Sequence, residues 1–247
     1  VLHGNELNYI AIKNFVIHSI YGHYHMWFLF AIVGLYIITP LLRKISADKR
    51  LTEYFICLSF IFCYCINLLK LTRYGDIVNN VMNKSNFNFV MGYTGYYLLG
   101  YYLHRYEISK KFNNVINVLA IISIAITIVF SSLHSIHFGE PRQDLYGYLL
   151  PNTFFVSVAV FLLFKNKFSK IQLKEKTSRF ISKLSSLTFG MYLVHDFFNM
   201  LLRQIGLTTL TFNPVFSVPI IAMIVFLSSM VVAYGISKIP VLKKYIM

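Results

Sequence analysis

Seven apolar segments, each long enough or nearly long enough to cross a bilayer, constrain this chain more than any other feature. They are Met26–Leu42, Tyr54–Leu69, Phe87–Leu103, Phe112–Leu133, Leu145–Phe164, Leu184–Leu202 and Phe212–Ser237. A hydrocarbon core about 30 Å thick is crossed by about 20 residues of α-helix. All seven run past strand length and none alternates with period two, so helices are expected rather than a barrel. The expected fold is therefore all-α, a polytopic transmembrane helix bundle with about seven visible spans, forming a single domain over residues 1–247. Composition agrees, because with 57% hydrophobic and only 13% charged residues the chain lacks the charge to coat a soluble domain. A lipid bilayer is the first expected partner.

The 23 Lys and Arg against 9 Asp and Glu give a formal charge of +14. Nucleic-acid binding would need a soluble face that interleaves basic and aromatic residues. Here the bases fall between apolar runs, so no nucleic-acid partner is expected. Cytoplasmic connections carry the basic excess. Segments 43–53, 104–112, 165–183 and 238–247 hold 17 of the 23, and the alternate set holds 6. That bias predicts an outer N-terminus and a cytoplasmic C-terminus. An outer N-terminus with no preceding span or signal, together with Val as first residue, leads to the expectation that further spans precede residue 1. The basic loop 165–183 is expected to be topogenic, or else to attract an anionic cofactor such as coenzyme A. Cys57, Cys63 and Cys65 share one apolar run and read as buried thiols, with no disulfide or metal spacing.

Polar groups inside spans are costly and therefore informative. Asp196 is the one acidic residue inside a predicted span. Residues three or four apart share a helix face, so Tyr192, His195, Asp196, Asn199 and Arg203 form one polar stripe. It reads either as a substrate-binding or proton-handling wall, or as interhelical glue with Asp196 and Arg203 neutralising one another. A second constellation is Tyr21–Phe30, "YGHYHMWFLF", which holds His23, His25 and the sole tryptophan, Trp27. Interfacial anchoring accounts for Trp27 and Tyr24 but not for the histidines, and histidine is the common general base near neutral pH. Two weaker features follow. Residues 92–106 combine Gly92, Gly95 and Gly100 with six tyrosines, which suits close helix packing or a sugar groove. Residues 132–144 place His134, His137, Glu140, Arg142 and Asp144 in an expected outer loop, able to touch a polar acceptor or simply to be wet. No metal site is expected.

Three motifs together resemble one family. "YHMWFLFAIVGLYIITPLLRK" (24–44) resembles the His-x-Trp-Phe-Leu … Leu-Tyr … Pro-Leu-Leu-Arg segment of the membrane acyltransferase 3 family. "LSSLTFGMYLVHDFF" (184–198) resembles its late Thr-Phe-Gly-Ile-Tyr-Leu-Ile-His-Pro span, and "GYYLLGYYLHRYEISK" (95–110) its Gly-Tyr-Phe-Leu-Leu-Gly-Tyr middle. The resemblance covers essentially the whole chain. It departs at Asp196, where proline is common. The family's basic residue and histidine of the first span, and its later Arg-x-x-Arg, have no counterpart here. Seven spans fit a ten-helix protein without its first three.

The resemblance implies a bacterial multi-pass plasma-membrane enzyme. Such enzymes move an acyl group, often acetyl from acetyl-coenzyme A, to a hydroxyl of a cell-surface sugar or polysaccharide. It implies His25 and His195 as catalytic candidates, facing a pore formed with the preceding spans. Trp27, Tyr36, Arg43 and Tyr192 match its motifs and join Asp196, Asn199 and Arg203 as substrate-binding candidates; Pro40 also matches. Two readings stay open beside it: a non-catalytic component that carries a glycan or lipid-linked sugar, and an inactive fragment.

Overall fold

The computed structural model describes residues 26–85 and 92–239. Nine α-helices of five or more residues occur among them, and no strand. They are α1 (Trp27–Ser46), α2 (Lys49–Ser59), α3 (Ile66–Lys70), α4 (Gly75–Ser85), α5 (Thr94–Arg105), α6 (Lys110–Phe138), α7 (Pro151–Asn166), α8 (Glu175–Gln204) and α9 (Pro214–Ile236). A π-helical turn, Phe60–Cys65, joins α2 to α3 as one continuous rod. Five rods are long and apolar enough to cross a membrane: Trp27–Ser46, Lys49–Lys70, Lys110–Phe138, Asp144–Lys170 and Pro214–Ile236. The other two predicted spans differ. Of Phe87–Leu103, the described part is the 12-residue α5, which begins at Thr94. Leu184–Leu202 lies within the 30-residue α8, whose polar stripe lowers its mean hydropathy. The all-α architecture stands as expected, with the span count approximate.

Local chemistry sets several helix ends. The Asp48 carboxylate accepts from Leu51 N at 2.8 Å, Ser109 Oγ from Phe112 N at 3.3 Å, and Asn213 Oδ1 from Val215 N at 3.0 Å. Each satisfies an N–H that the first helical turn leaves without an internal partner. Pro151 and Pro214 occupy first helical positions, where a missing N–H costs nothing. At the far end of α6, Gly139 adopts φ +69°, the left-handed conformation that closes a helix. Nothing before Gly139 breaks the helix, so His134 and His137 lie on the last turns of α6 rather than in a loop. Likewise α2 starts at Lys49, which brings Glu53 into a span-length helix, and α8 absorbs residues 175–183 of the basic loop. The connection 70–86 contains α4, which the apolar pattern did not predict.

The chain forms two compact units, Leu29–Ile171 and Val1–Phe28 with Gln172–Met247. In the first, Cys63, Tyr64, Leu99, Leu103, Phe154 and Leu162 form the main core. A smaller cluster of Leu42, Phe55 and Leu98 ties α1 to α2 and α5. Phe60, Tyr64, Tyr96 and Phe154 build an aromatic nest with ring centroids 4.9–6.1 Å apart. The π turn adds one residue to a helical turn, and Ser59, Cys63 and Tyr64 all end up turned inward. Of the cysteines, Cys63 is buried, Cys65 half-buried and Cys57 exposed, so the expectation of three buried thiols holds only for the inward face.

Contacts define two ends of this unit. At one, Tyr102 Oη donates to Glu53 at 2.6 Å and Lys49 Nζ lies 5.1 Å from the Tyr106 ring. There Lys165 Nζ donates to the carbonyls of Leu103 at 2.8 Å and Tyr106 at 2.7 Å, closing the C-terminus of α5. At the opposite end, Asn67 donates to Leu149 O and Tyr96 Oη to Tyr148 O. Lys165→Met is expected to lower stability by about 1–3 kcal/mol, because it strips a charged donor from two carbonyls. Thermal unfolding of purified protein checks this, with Lys165→Arg recovering part of the loss.

In the second unit, α8 and α9 pack as a pair. The α9 face is a row at i, i+4 spacing, Ser217, Ile221, Val225, Ser229 and Ala233, all buried. Small side chains let the two backbones approach closely where hydrophobicity gives no drive between helices in lipid. Leu187 and Met191 of α8 meet Ala233 there.

Candidate functional site

His25, the first-motif histidine, lies outside the described residues, as do His23 and Tyr24. Trp27 opens α1 and meets Phe28 edge-on at 6.1 Å. Further along α1, Arg43 lines a cavity of about 520 Å³ between α1 and α5, with Thr39, Ser46, Tyr97 and Tyr101. Arg43 is placed there by the helix period: Thr39, Leu42, Arg43 and Ser46 share one face, and buried Leu42 turns that face toward Leu98. Tyr97 Oη accepts from Thr39 Oγ1 at 3.3 Å, and Arg105 Nη1 donates to Tyr101 Oη at 3.2 Å. The wall thus carries a permanent cation and several hydroxyls above an apolar floor. Guanidinium stays charged at any physiological pH and binds planar or tetrahedral anions through several N–H groups. Tyr36 is two turns away and 68% exposed, outside the residues that line this cavity.

A second cavity, about 830 Å³, opens at the same end of the unit, lined by His104, Lys165, Asn166, Ser169 and Lys170, with Glu107. Lys165 is held there by the two α5 carbonyls and by Glu107 at 3.4 Å.

The late-motif stripe lies in the other unit, on α8. His195 Nδ1 is 2.5 Å from the Tyr192 carbonyl, an oxygen that only accepts. The ring proton therefore sits on Nδ1, and in the neutral imidazole Nε2 carries the basic lone pair. Tyr192 packs against His195 at 5.6 Å and against Phe28 at 5.5 Å. Asp196 is only 3% exposed, Asn199 is half-buried and Arg203 is exposed at the helix end. At 100° per residue His195 falls about 40° round α8 from Met191 of the seam that meets α9, and Asp196 about 140°.

The structure brings Arg43 together with Tyr97 and Tyr101, and Tyr192 with His195. The sequence reading missed Thr39, Ser46, Tyr97 and Tyr101 as individuals; the signal available was the tyrosine density of 92–106. Of those tyrosines, Tyr96 packs in the core nest and also lines the cavity, which Tyr97 and Tyr101 line without joining the nest. Among the described residues, no group of three or more His, Cys, Asp or Glu is arranged to hold a metal ion.

The sequence model of the acyltransferase 3 family, an acyltransferase domain, matches residues 5–238. The chain belongs to the acyltransferase 3 family. The match runs through both compact units, from before α1 to the end of α9. No curated protein and no solved structure matches the chain. Membership of the acyltransferase 3 family supports acyl transfer as the class of activity, and the apolar rods support a membrane protein.

Proposed function

We propose that this acyltransferase 3 protein moves an acyl group, acetyl above all, from an acyl-coenzyme A to a hydroxyl of a cell-surface sugar or glycan. The observation that carries the reading is the Arg43 cavity. The arginine of the family's Pro-Leu-Leu-Arg motif opens there among tyrosine, threonine and serine hydroxyls, a lining that suits a phosphate-rich donor. This end of the unit also holds Lys49, Arg105 and Lys165, and basic residues mark the cytoplasmic side. Acyl-coenzyme A is cytosolic, so cavity and donor meet on the same side. His25 and His195 are the candidate bases for the acceptor hydroxyl, with Trp27, Tyr36, Tyr192, Asp196, Asn199 and Arg203 as substrate contacts. The reading places the protein in a bacterial plasma membrane.

The test is to supply labelled acetyl-coenzyme A to membranes carrying the full-length gene product and to recover surface glycan. Base-labile label on the glycan is expected, with Arg43→Ala lowering it about tenfold at equal protein level, the loss of one charge-assisted contact. Unlabelled glycan crossing the membrane without acetyl ester would favour a carrier instead.

A further inference from the structure

At the end of the larger unit opposite the Arg43 cavity, a third cavity of about 380 Å³ opens beside the last turns of α6. We infer that it is a binding site for a neutral sugar, in which Asp144 orients His134 to accept a hydrogen bond from a ring hydroxyl. Three observations converge.

The first is a His–carboxylate pair. His134 Nδ1 lies 3.1 Å from Asp144 Oδ2. The carboxylate accepts the Nδ1 proton, which leaves Nε2 of the neutral ring as an acceptor. The helix brings His134 to the rim, and the short 3₁₀ turn Asp144–Tyr146 returns Asp144 to meet it.

The second is a buried hydroxyl. Ser131 lines the same cavity one turn before His134, is only 8% exposed, and its Oγ has no hydrogen-bond partner among the described residues. A buried hydroxyl left unpaired is costly unless a ligand completes it. Ser135, one turn on, is already used: its Oγ accepts from Arg142 N at 2.9 Å and donates to Ser131 O at 2.7 Å.

The third is the balance of charge. Arg142 lies 3.4 Å from Glu140 and 3.9 Å from Asp144, its guanidinium sits 4.5 Å from the Phe138 ring, and its buried Nε has no hydrogen-bond partner among the described residues. The lining itself holds one arginine and one carboxylate, with Glu140 outside it, so its fixed charges balance. Such a lining gives a phosphate or carboxylate no net attraction, and Asp144 opposes it. A sugar hydroxyl, which both donates and accepts, finds partners in Nε2, the Asp144 carboxylate and Ser131 Oγ. Leu71, Phe130 and Leu145 give an apolar floor for the C–H face of a pyranose ring.

The assignment rests on the acyl-transfer reading only for its place in the reaction, as the acceptor side remote from the basic end. Binding itself does not depend on transfer. The experiment therefore omits the acyl donor. Protein in lipid nanodiscs is irradiated with tritiated p-azidophenyl β-D-glucopyranoside, and labelled peptides are mapped by mass spectrometry. Label is expected within residues 130–146, displaced by excess methyl β-D-glucopyranoside, and azidophenyl phosphate should label this segment about fivefold less. Asp144→Asn and Ser131→Val should each lower the sugar label about fivefold or more, the worth of one hydrogen bond. Ser131→Val decides the matter if Asp144→Asn does not yield monodisperse protein. Equal labelling by the phosphate probe, label confined to other segments, or undiminished label in the variants would overturn the site. Failure to form acetyl ester in the transfer assay would leave the labelling result intact.

Discussion

Replacing Gly95 with valine is expected to lower the melting temperature of the protein by about 5–10 °C. A β-carbon at Gly95 would lie 2.6 Å from Ser59 Cβ and 3.1 Å from Tyr64 Oη. Contacts that short do not occur between real carbon atoms, and Ser59 Cβ is fixed by the helix that carries it, not by a flexible side chain. The first turn of α5 must therefore move away from the α2–π rod. That rod and α5 meet through the main core and through Leu98 and Phe55, so the separation spreads into both clusters. Overpacking of this kind costs about 1–3 kcal/mol for one or two added carbons, and each kcal/mol is worth about 2–4 °C in a protein of this size. The closest atom also names the remedy. Ser59→Gly removes it, so the double variant Gly95→Ala with Ser59→Gly should regain most of what Gly95→Ala alone loses. Thermal unfolding followed by size exclusion reads both, and additive losses would show that the approach to Ser59 is not the cause.

His25→Ala is expected to reduce acetylation of the acceptor by about a hundredfold or more while the protein level in the membrane stays unchanged. That is the usual contribution of a general base acting on a poorly acidic hydroxyl. The expectation rests on the His-x-Trp-Phe-Leu motif, because His25 precedes the described residues. His195→Ala provides the comparison within the described residues. Its Nδ1 is tied to the Tyr192 carbonyl, so the backbone of α8 leaves Nε2 as the acceptor nitrogen. His195→Gln keeps hydrogen-bonding capacity but loses basicity. If His195 is a base, glutamine fails as badly as alanine; if it only positions substrate, glutamine retains most of the activity. Acetylation unchanged in His25→Ala would remove that residue from the mechanism.

The candidate site was legible in the sequence as motifs and as costly residues, not as a neighbourhood. Asp196 was visible because an acid in an apolar run is expensive, and it proved almost fully buried. Arg43 was visible through its motif. Its cavity partners Tyr97 and Tyr101 lie more than fifty residues on, and nothing in their spacing separates them from core Tyr96. The acid–histidine pair at 134 and 144 illustrates the same limit. Both residues were noted, but as members of a loop, because the helix was expected to stop where the apolar run stopped.

What the sequence alone determined was the class of fold and the family. Runs of twenty apolar residues leave helices as the economical way to satisfy the backbone in lipid. Asp48, Ser109, Asn213, Pro151 and Gly139 act on neighbours within a few residues, so their effects can be read locally. Only the tertiary structure decided which face of each helix was buried, that a π turn carries Tyr64 inward, and which polar groups share a cavity. In a membrane protein both the lipid-facing and the core-facing sides are apolar, so hydrophobic periodicity no longer distinguishes them. Packing then depends on shape, as at Gly95 against Ser59 and along the Ser217–Ala233 row.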